Sequence, residues 1–146
     1  MTDKPPLTVT GMRWAVLILA TWNLLRAGFA IANWTALLEF APRPGPFYVA
    51  LTGSFWTLAC LAVFIAIRRR YARSQRVYAI VLYAYAAWWW ADRLFFSQQP
   101  RPNGLFAAAV TALLLAFVAA DFFNKNATEY FTLRETNDQP TNQPTP

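Results

Sequence analysis

Histidine is missing from this chain altogether, and cysteine occurs once among its 146 residues. Without histidine the usual general base near neutral pH is absent, and so is the commonest metal ligand. The lone Cys60 permits no internal disulfide and no thiolate cluster; inside an apolar run it reads as a small apolar filler. Haem ligation through histidine, zinc sites and Ser-His-Asp catalysis are therefore excluded within the chain. Charge is scarce as well, at 14% of residues against roughly 25% in soluble domains. No P-loop, no dinucleotide-binding glycine pattern and no paired catalytic carboxylates are present. The expectation is a protein that is not an enzyme and carries neither metal nor cofactor.

What the chain has in abundance is apolar and aromatic side chain, 57% and 17% of residues respectively, with a modestly positive mean hydropathy. The apolar residues fall into four runs, 12–40, 47–67, 77–96 and 104–123, separated by short polar or proline-rich breaks. Each is about 20 residues or longer, enough for a helix to cross some 30 Å of hydrocarbon. None shows the polar face of a soluble core helix. The fold class expected is all-α: a four-helix transmembrane bundle over 12–124, with a polar segment at 1–11. A polar tail at 125–146 is rich in Thr, Asn, Gln and Pro, a composition that buries no core.

The net charge of +6 raises the question of nucleic acid, but the cations gather at the ends of apolar runs rather than on one basic face. No nucleic-acid partner is expected. With four spans, both termini and the loop 68–76 share one side. That side holds nine basic residues, five of them arginines of the loop, and the other side holds only Arg43 and Arg101. The positive-inside rule then makes both termini and the loop cytoplasmic, and the loop attracts anionic lipid at about 1 kcal/mol per charge. The first run also mimics a secretory leader: Lys4 and Arg13 precede an apolar stretch, and Ala30-Ile31-Ala32 resembles a cleavage site. Arg26 interrupts that pattern and the residues from Asn33 continue the apolar run, so the segment is read as a retained span.

Pro42-Arg43-Pro44 and Pro100-Arg101-Pro102 recur in the two outer loops, and the helices after them align Phe47 with Phe106, Ala50 with Ala109 and Thr52 with Thr111. This suggests two hairpins in a weak parallel repeat; simple recurrence of Pro and Arg in tight surface loops is the competing account.

Arg26 is the only charge between residues 14 and 38. A guanidinium at bilayer depth costs roughly 2.5–3.5 kcal/mol on insertion scales, so it normally faces protein or water with a partner. At 100° per residue Asn23, Arg26 and Asn33 share about one quadrant of a helix. In the third run Asp92 and Arg93 adjoin. Arg26 and Asp92 lie at depths differing by about 4–5 Å, counted from the basic residues that start their runs, so they are expected to pair. Asn23 or Asn33 would complete the hydrogen bonds. Two roles are open for Asn23, Arg26, Asn33, Asp92 and Arg93: a buried lock between helices, or a site for a polar or anionic ligand.

Trp88-Trp89-Trp90 spans too wide an arc to face one pocket, and is read as packing or as contact with lipid or a flat lipophilic molecule. Ala108, Ala112, Ala116 and Ala120 place one small residue per turn on one face of the fourth run, a seam for close helix packing. Gly28 and Ala32 offer a shorter version in the first. The function expected is a non-catalytic accessory or structural subunit of a larger membrane complex; the alternative is a small carrier or binder of a lipophilic or anionic molecule. Partners expected are the lipid bilayer, a membrane protein or a second copy, and in the alternative a lipophilic small molecule.

Overall fold

The computed structural model describes residues 7–40, 45–71, 73–96 and 103–123. Both Pro-Arg-Pro loops, the first six residues and the C-terminal tail lie outside the described residues. Every described element is helical: α1 (Leu7–Ala32), α2 (Trp34–Phe40), α3 (Pro46–Arg68), α4 (Ser74–Ala91), a π-helical turn (Asp92–Phe96) and α5 (Gly104–Phe123). The four apolar runs thus each become helix. The first helix starts at Leu7 rather than residue 12, because Val9 and Met12 are both fully buried and draw the polar-looking start into the core.

The body of the fold is the antiparallel pair α1 and α3, which makes the most extensive helix–helix contact in the molecule. The buried residues of α1 are Val9, Met12, Val16, Ala20, Asn23, Ala27 and Ala30, at steps of three or four. Those of α3 include Pro46, Gly53, Cys60 and Ile67 at steps of seven, with Trp56 and Val63 between. A seam of that period keeps two helices facing each other along their length. Small residues let the backbones come close in the middle. A Cβ at Gly53 would stand 2.9 Å from the Asn23 carbonyl oxygen and 3.0 Å from the Ala27 Cβ. Nearby, the Thr57 hydroxyl donates to the Gly53 carbonyl at 2.8 Å and reaches the Ala20 carbonyl at 3.4 Å. An added Cβ would meet nothing within 4 Å at Gly11, Gly28 or Gly104, so the demand of space for glycine falls on Gly53.

The helix ends have local causes. At Asn33, between α1 and α2, the side-chain amide and the backbone N–H both donate to the Phe29 carbonyl, each at 3.0 Å. Such local capture competes with the helical ladder, although the ladder resumes through Leu37 N–H to Asn33 O. Pro46 opens α3 behind an extended Gly45, where a missing amide costs nothing. After α3 the chain reverses through Arg70, whose φ of 55° is left-handed. The amides of Arg70 and Tyr71 there return to the carbonyls of Ile67 and Ala66. This wraps the last turn much as a C-terminal cap does. Ser74, Gln75, Tyr78 and Ala79 at the start of α4 are buried, and Tyr78 and Ala79 share a core cluster with Ile67, Val9 and Met12.

Helix α5 is the outermost element and packs mainly on α4. Its covered positions are Ala107, Thr111, Leu115, Val118 and Ala119, and the Tyr83 hydroxyl of α4 donates to the Leu115 carbonyl at 3.4 Å. Ala108, Ala112, Ala116 and Ala120 are all exposed. The alanine row expected to form a packing seam therefore closes nothing inside this chain. The face of α5 that meets α4 is the row beside the alanines, 107, 111, 115 and 118–119.

Two helices, α1 and α3, are long and apolar enough to cross a membrane, by length and composition. The apolar part of α5, Gly104–Ala120, is shorter. In α4 three tyrosines, three tryptophans and a polar first turn lower the apolar character.

Candidate functional site

The polar side chains of α1 and the end of α4 meet in one place. Arg26 Nη2 lies 3.5 Å from Asp92 Oδ2, with the two side chains 23% and 10% exposed. That separation is longer than the 2.7–2.9 Å of a tight charge-assisted hydrogen bond, so the contact is an ion pair made through one guanidinium nitrogen. The guanidinium carbon also sits 5.1 Å from the centroid of the Trp88 ring. A cation over an indole face gains about 0.5–2 kcal/mol, more where water is excluded.

Aromatic rings wall this pair. Trp56, Tyr85 and Trp88 form a mutually touching trio with centroids 5.1–5.5 Å apart. The Trp88 indole N–H donates to the Tyr48 hydroxyl at 3.2 Å, and that hydroxyl lies beside the Asp92 carboxylate. Tyr48 stacks in turn on Phe96, centroids 5.1 Å apart. Behind them Asn23, wholly buried, donates through its amide to the Leu19 carbonyl at 2.9 Å and to the Tyr85 hydroxyl at 3.3 Å. From the described residues no hydrogen bond reaches Asn23 Oδ1 or Asp92 Oδ1.

Asp92 closes α4 on the helix face that carries Tyr85 and Trp88, seven and four residues earlier, and a π-helical turn follows it. The Asp92 backbone N–H approaches both the Trp88 and Trp89 carbonyls as α4 ends, and Asp92 is the one residue of the turn that is buried. With Asp92 turned inward, Arg93 swings to the other side. Its guanidinium stacks on Trp89, 5.4 Å from the ring centroid, and Trp89 meets Trp90 edge-on.

Of the residues singled out from the sequence, Asn23, Arg26, Asp92 and Trp88 are brought together. Arg93 is adjacent but engaged with Trp89. Asn33 is apart, its amide spent on the Phe29 carbonyl beyond the end of the cluster; neither asparagine bonds to the ion pair. Trp88, Trp89 and Trp90 divide between the cluster and the outer surface, as the arc they span requires. Trp56, Tyr48 and the role of Tyr85 were missed by sequence reasoning. Trp56 carried a signal, since it falls in the same seven-residue rhythm as Gly53 and Cys60. Tyr48 carried none, because its place depends on where α4 lies.

The depth of the cluster also differs from the sequence expectation. Gly53 is level with Asn23 and Ala27, so at 1.5 Å per residue Arg26 stands only about 9 Å along α3 from Pro46. Arg26 is thus near one end of the helix pair rather than at its middle. The arrangement can hold a charge and order aromatic rings. Comparison with family models, with curated proteins and with solved structures yields no match.

Proposed function

We propose that this chain is a four-span integral membrane protein serving as a non-catalytic accessory or structural subunit of a larger membrane complex. The observation that carries the reading is the outward face of α5. Its alanines at 108, 112, 116 and 120 are exposed, and a row of small residues one turn apart lets another helix approach to backbone contact. Gly28 on α1 is also outward: a Cβ there would meet nothing within 4 Å, and Ala32 one turn on is exposed too. Among the described residues, then, neither small-residue patch found in the sequence is covered. Large apolar side chains cover the outer faces of α1, α3 and α5, among them Ile18, Phe29, Phe55, Leu58, Phe106 and Leu113. Soluble monomers rarely expose contiguous apolar patches beyond a few hundred Å². The basic loop 68–76 sets the termini on the cytoplasmic side.

The test is affinity capture after mild detergent extraction, comparing the natural chain with Ala112→Ile/Ala116→Ile. A defined partner that co-purifies with the first and is lost with the second supports the reading, since exposed positions tolerate larger side chains without unfolding. A strictly monomeric particle with no co-purifying protein sinks it.

A carrier or binder is the second reading, favoured by the part-exposed Arg26 side chain inside aromatic walls. For that role Arg26→Leu/Asp92→Leu should fold normally and lose ligand; a folded double variant with unchanged activity rejects it.

A further inference from the structure

The outer face of α1 carries a second seam. Trp14, Ile18, Thr21, Leu25, Gly28 and Ala32 are all exposed and follow one another at steps of four and three in strict alternation. That is the heptad spacing that keeps one edge of a helix turned toward a partner helix along its length. The seam lies opposite the buried row of Val16, Ala20, Asn23 and Ala27.

Its middle is polar where a bilayer is driest. The Thr57 hydroxyl reaches the Ala20 carbonyl at 3.4 Å, so Thr21 and Trp22 stand level with residues 56–57 of α3. Those residues are midway between the buried ends of the α3 stripe, Pro46 and Ile67. The stripe is about 31 Å long at 1.5 Å per residue, one hydrocarbon thickness, which puts Thr21 and Trp22 at the midplane. Trp22 is 63% exposed, and its indole N–H donates to none of the described residues. Tryptophan ordinarily keeps that donor at headgroup level or beside a buried acceptor, and acyl chains supply no acceptor. One residue earlier, the Thr21 hydroxyl donates to the Leu17 carbonyl at 2.9 Å, and its oxygen can still accept.

We propose that this face joins a second copy of the chain in a parallel dimer, the Trp22 indole of each copy donating to the Thr21 hydroxyl oxygen of the other. Copies inserted with one topology meet about a two-fold axis along the membrane normal, so the same patch on each is its own complement. Every residue then faces the partner at its own depth, and the donor at the midplane meets the acceptor beside it. Gly28 lets the second backbone come close, since a Cβ there would meet nothing within 4 Å. The inference rests on the membrane-spanning reading and not on the subunit reading, which is carried by α5.

The experiment uses the full chain in phosphatidylcholine vesicles, labelled with donor and acceptor dyes through Lys4→Cys on a Cys60→Ala background. Energy transfer should rise with the protein-to-lipid ratio and saturate as a dimer. Trp22→Phe and Thr21→Val each remove both symmetric hydrogen bonds and should weaken association about tenfold. Gly28→Ile should weaken it at least as far while leaving the circular dichroism unchanged, because the position is exposed. Ala112→Ile on α5 should leave the dimer intact. Copper-catalysed oxidation of Leu25→Cys on the same background should give a cross-linked dimer, and Leu58→Cys, on the exposed face of α3, should give none. A monomer at every ratio overturns the proposal and leaves lipid as what covers the seam. Association of Trp22→Phe equal to that of the natural chain overturns it as well, and so does equal cross-linking at 25 and 58. Alkaline-carbonate pelleting keeps the readings apart: a chain released from membranes refutes the spans and the dimer with them, whereas a pelleted monomer refutes only the dimer.

Discussion

Replacing Gly53 by leucine should open the α1–α3 crossing. The first added carbon alone would lie 2.9 Å from the Asn23 carbonyl oxygen, 3.0 Å from Ala27 Cβ and 3.1 Å from Ala27 N. Ordinary van der Waals contact begins near 3.4 Å, so each of the three must retreat by about half an ångström. Two of them belong to the backbone of α1 and the third is fixed to it, hence no rotamer relieves the clash and the helix must move as a body. Overpacking of this kind costs about 1–3 kcal/mol. For Gly53→Ala, the gain in helix propensity, up to about 1 kcal/mol, offsets part of this, and a net loss of about 0–2 kcal/mol is expected. Gly53→Leu adds three more carbons and should lose at least about 3 kcal/mol. Unfolding by sodium dodecyl sulfate in mixed micelles, followed by tryptophan fluorescence and far-ultraviolet circular dichroism, measures the difference. Ala27→Gly should rescue part of the Gly53→Ala loss by removing the Cβ–Cβ contact, while the clash with the Asn23 carbonyl remains. A Gly53→Leu variant as stable as the natural chain would refute the crossing itself.

Removing one member of the ion pair should hurt more than removing both. Arg26→Leu strands the Asp92 carboxylate, 8% exposed, and should cost about 3–5 kcal/mol, with Arg26→Leu/Asp92→Leu recovering most of it in the same unfolding assay. Trp56→Ala should lose about 3–5 kcal/mol, because the ring is 7% exposed and packs on both Tyr85 and Trp88; a loss below 1 kcal/mol would mean the trio contributes little. Cys60, wholly buried, should resist maleimide in the folded protein and react within minutes once unfolded, as followed by mass shift. Because it is the sole cysteine, single cysteines placed at either end on a Cys60→Ala background can report sidedness, and residues 4 and 72 should both label from the cytoplasmic side.

Much of the secondary structure was legible because its cause is local. Apolar runs bounded by Pro42-Arg43-Pro44, the arginines at 68–70 and Pro100-Arg101-Pro102 read as helices without knowledge of their neighbours. The approach of Arg26 to Asp92 was also within reach, since two charges at similar depth in apolar segments have few other ways to be accommodated. Three features were not. The break at Asn33 depends on whether a short amide prefers its own backbone to a distant partner. The engagement of Arg93 with Trp89 rather than with its neighbour Asp92 depends on where the rings stand, which sequence pattern does not announce. The exposure of the alanine row depends on which face of α5 meets the rings of α4, and an all-round apolar helix has no polar stripe to decide it.

Composition and periodicity alone determined that the chain is helical, that chemistry resting on histidine or on several cysteines is closed to it, and roughly where its helices begin and end. These are consequences of residue identity and of spacing along one strand of backbone. Which residues surround Arg26, how near the helix end that cluster lies, and which faces stay uncovered were decided only by tertiary packing. The crossing at Gly53 sets the register of α1 on α3, and the placing of α4 against that pair brings Tyr85, Trp88 and Asp92 to Tyr48, Trp56 and Arg26.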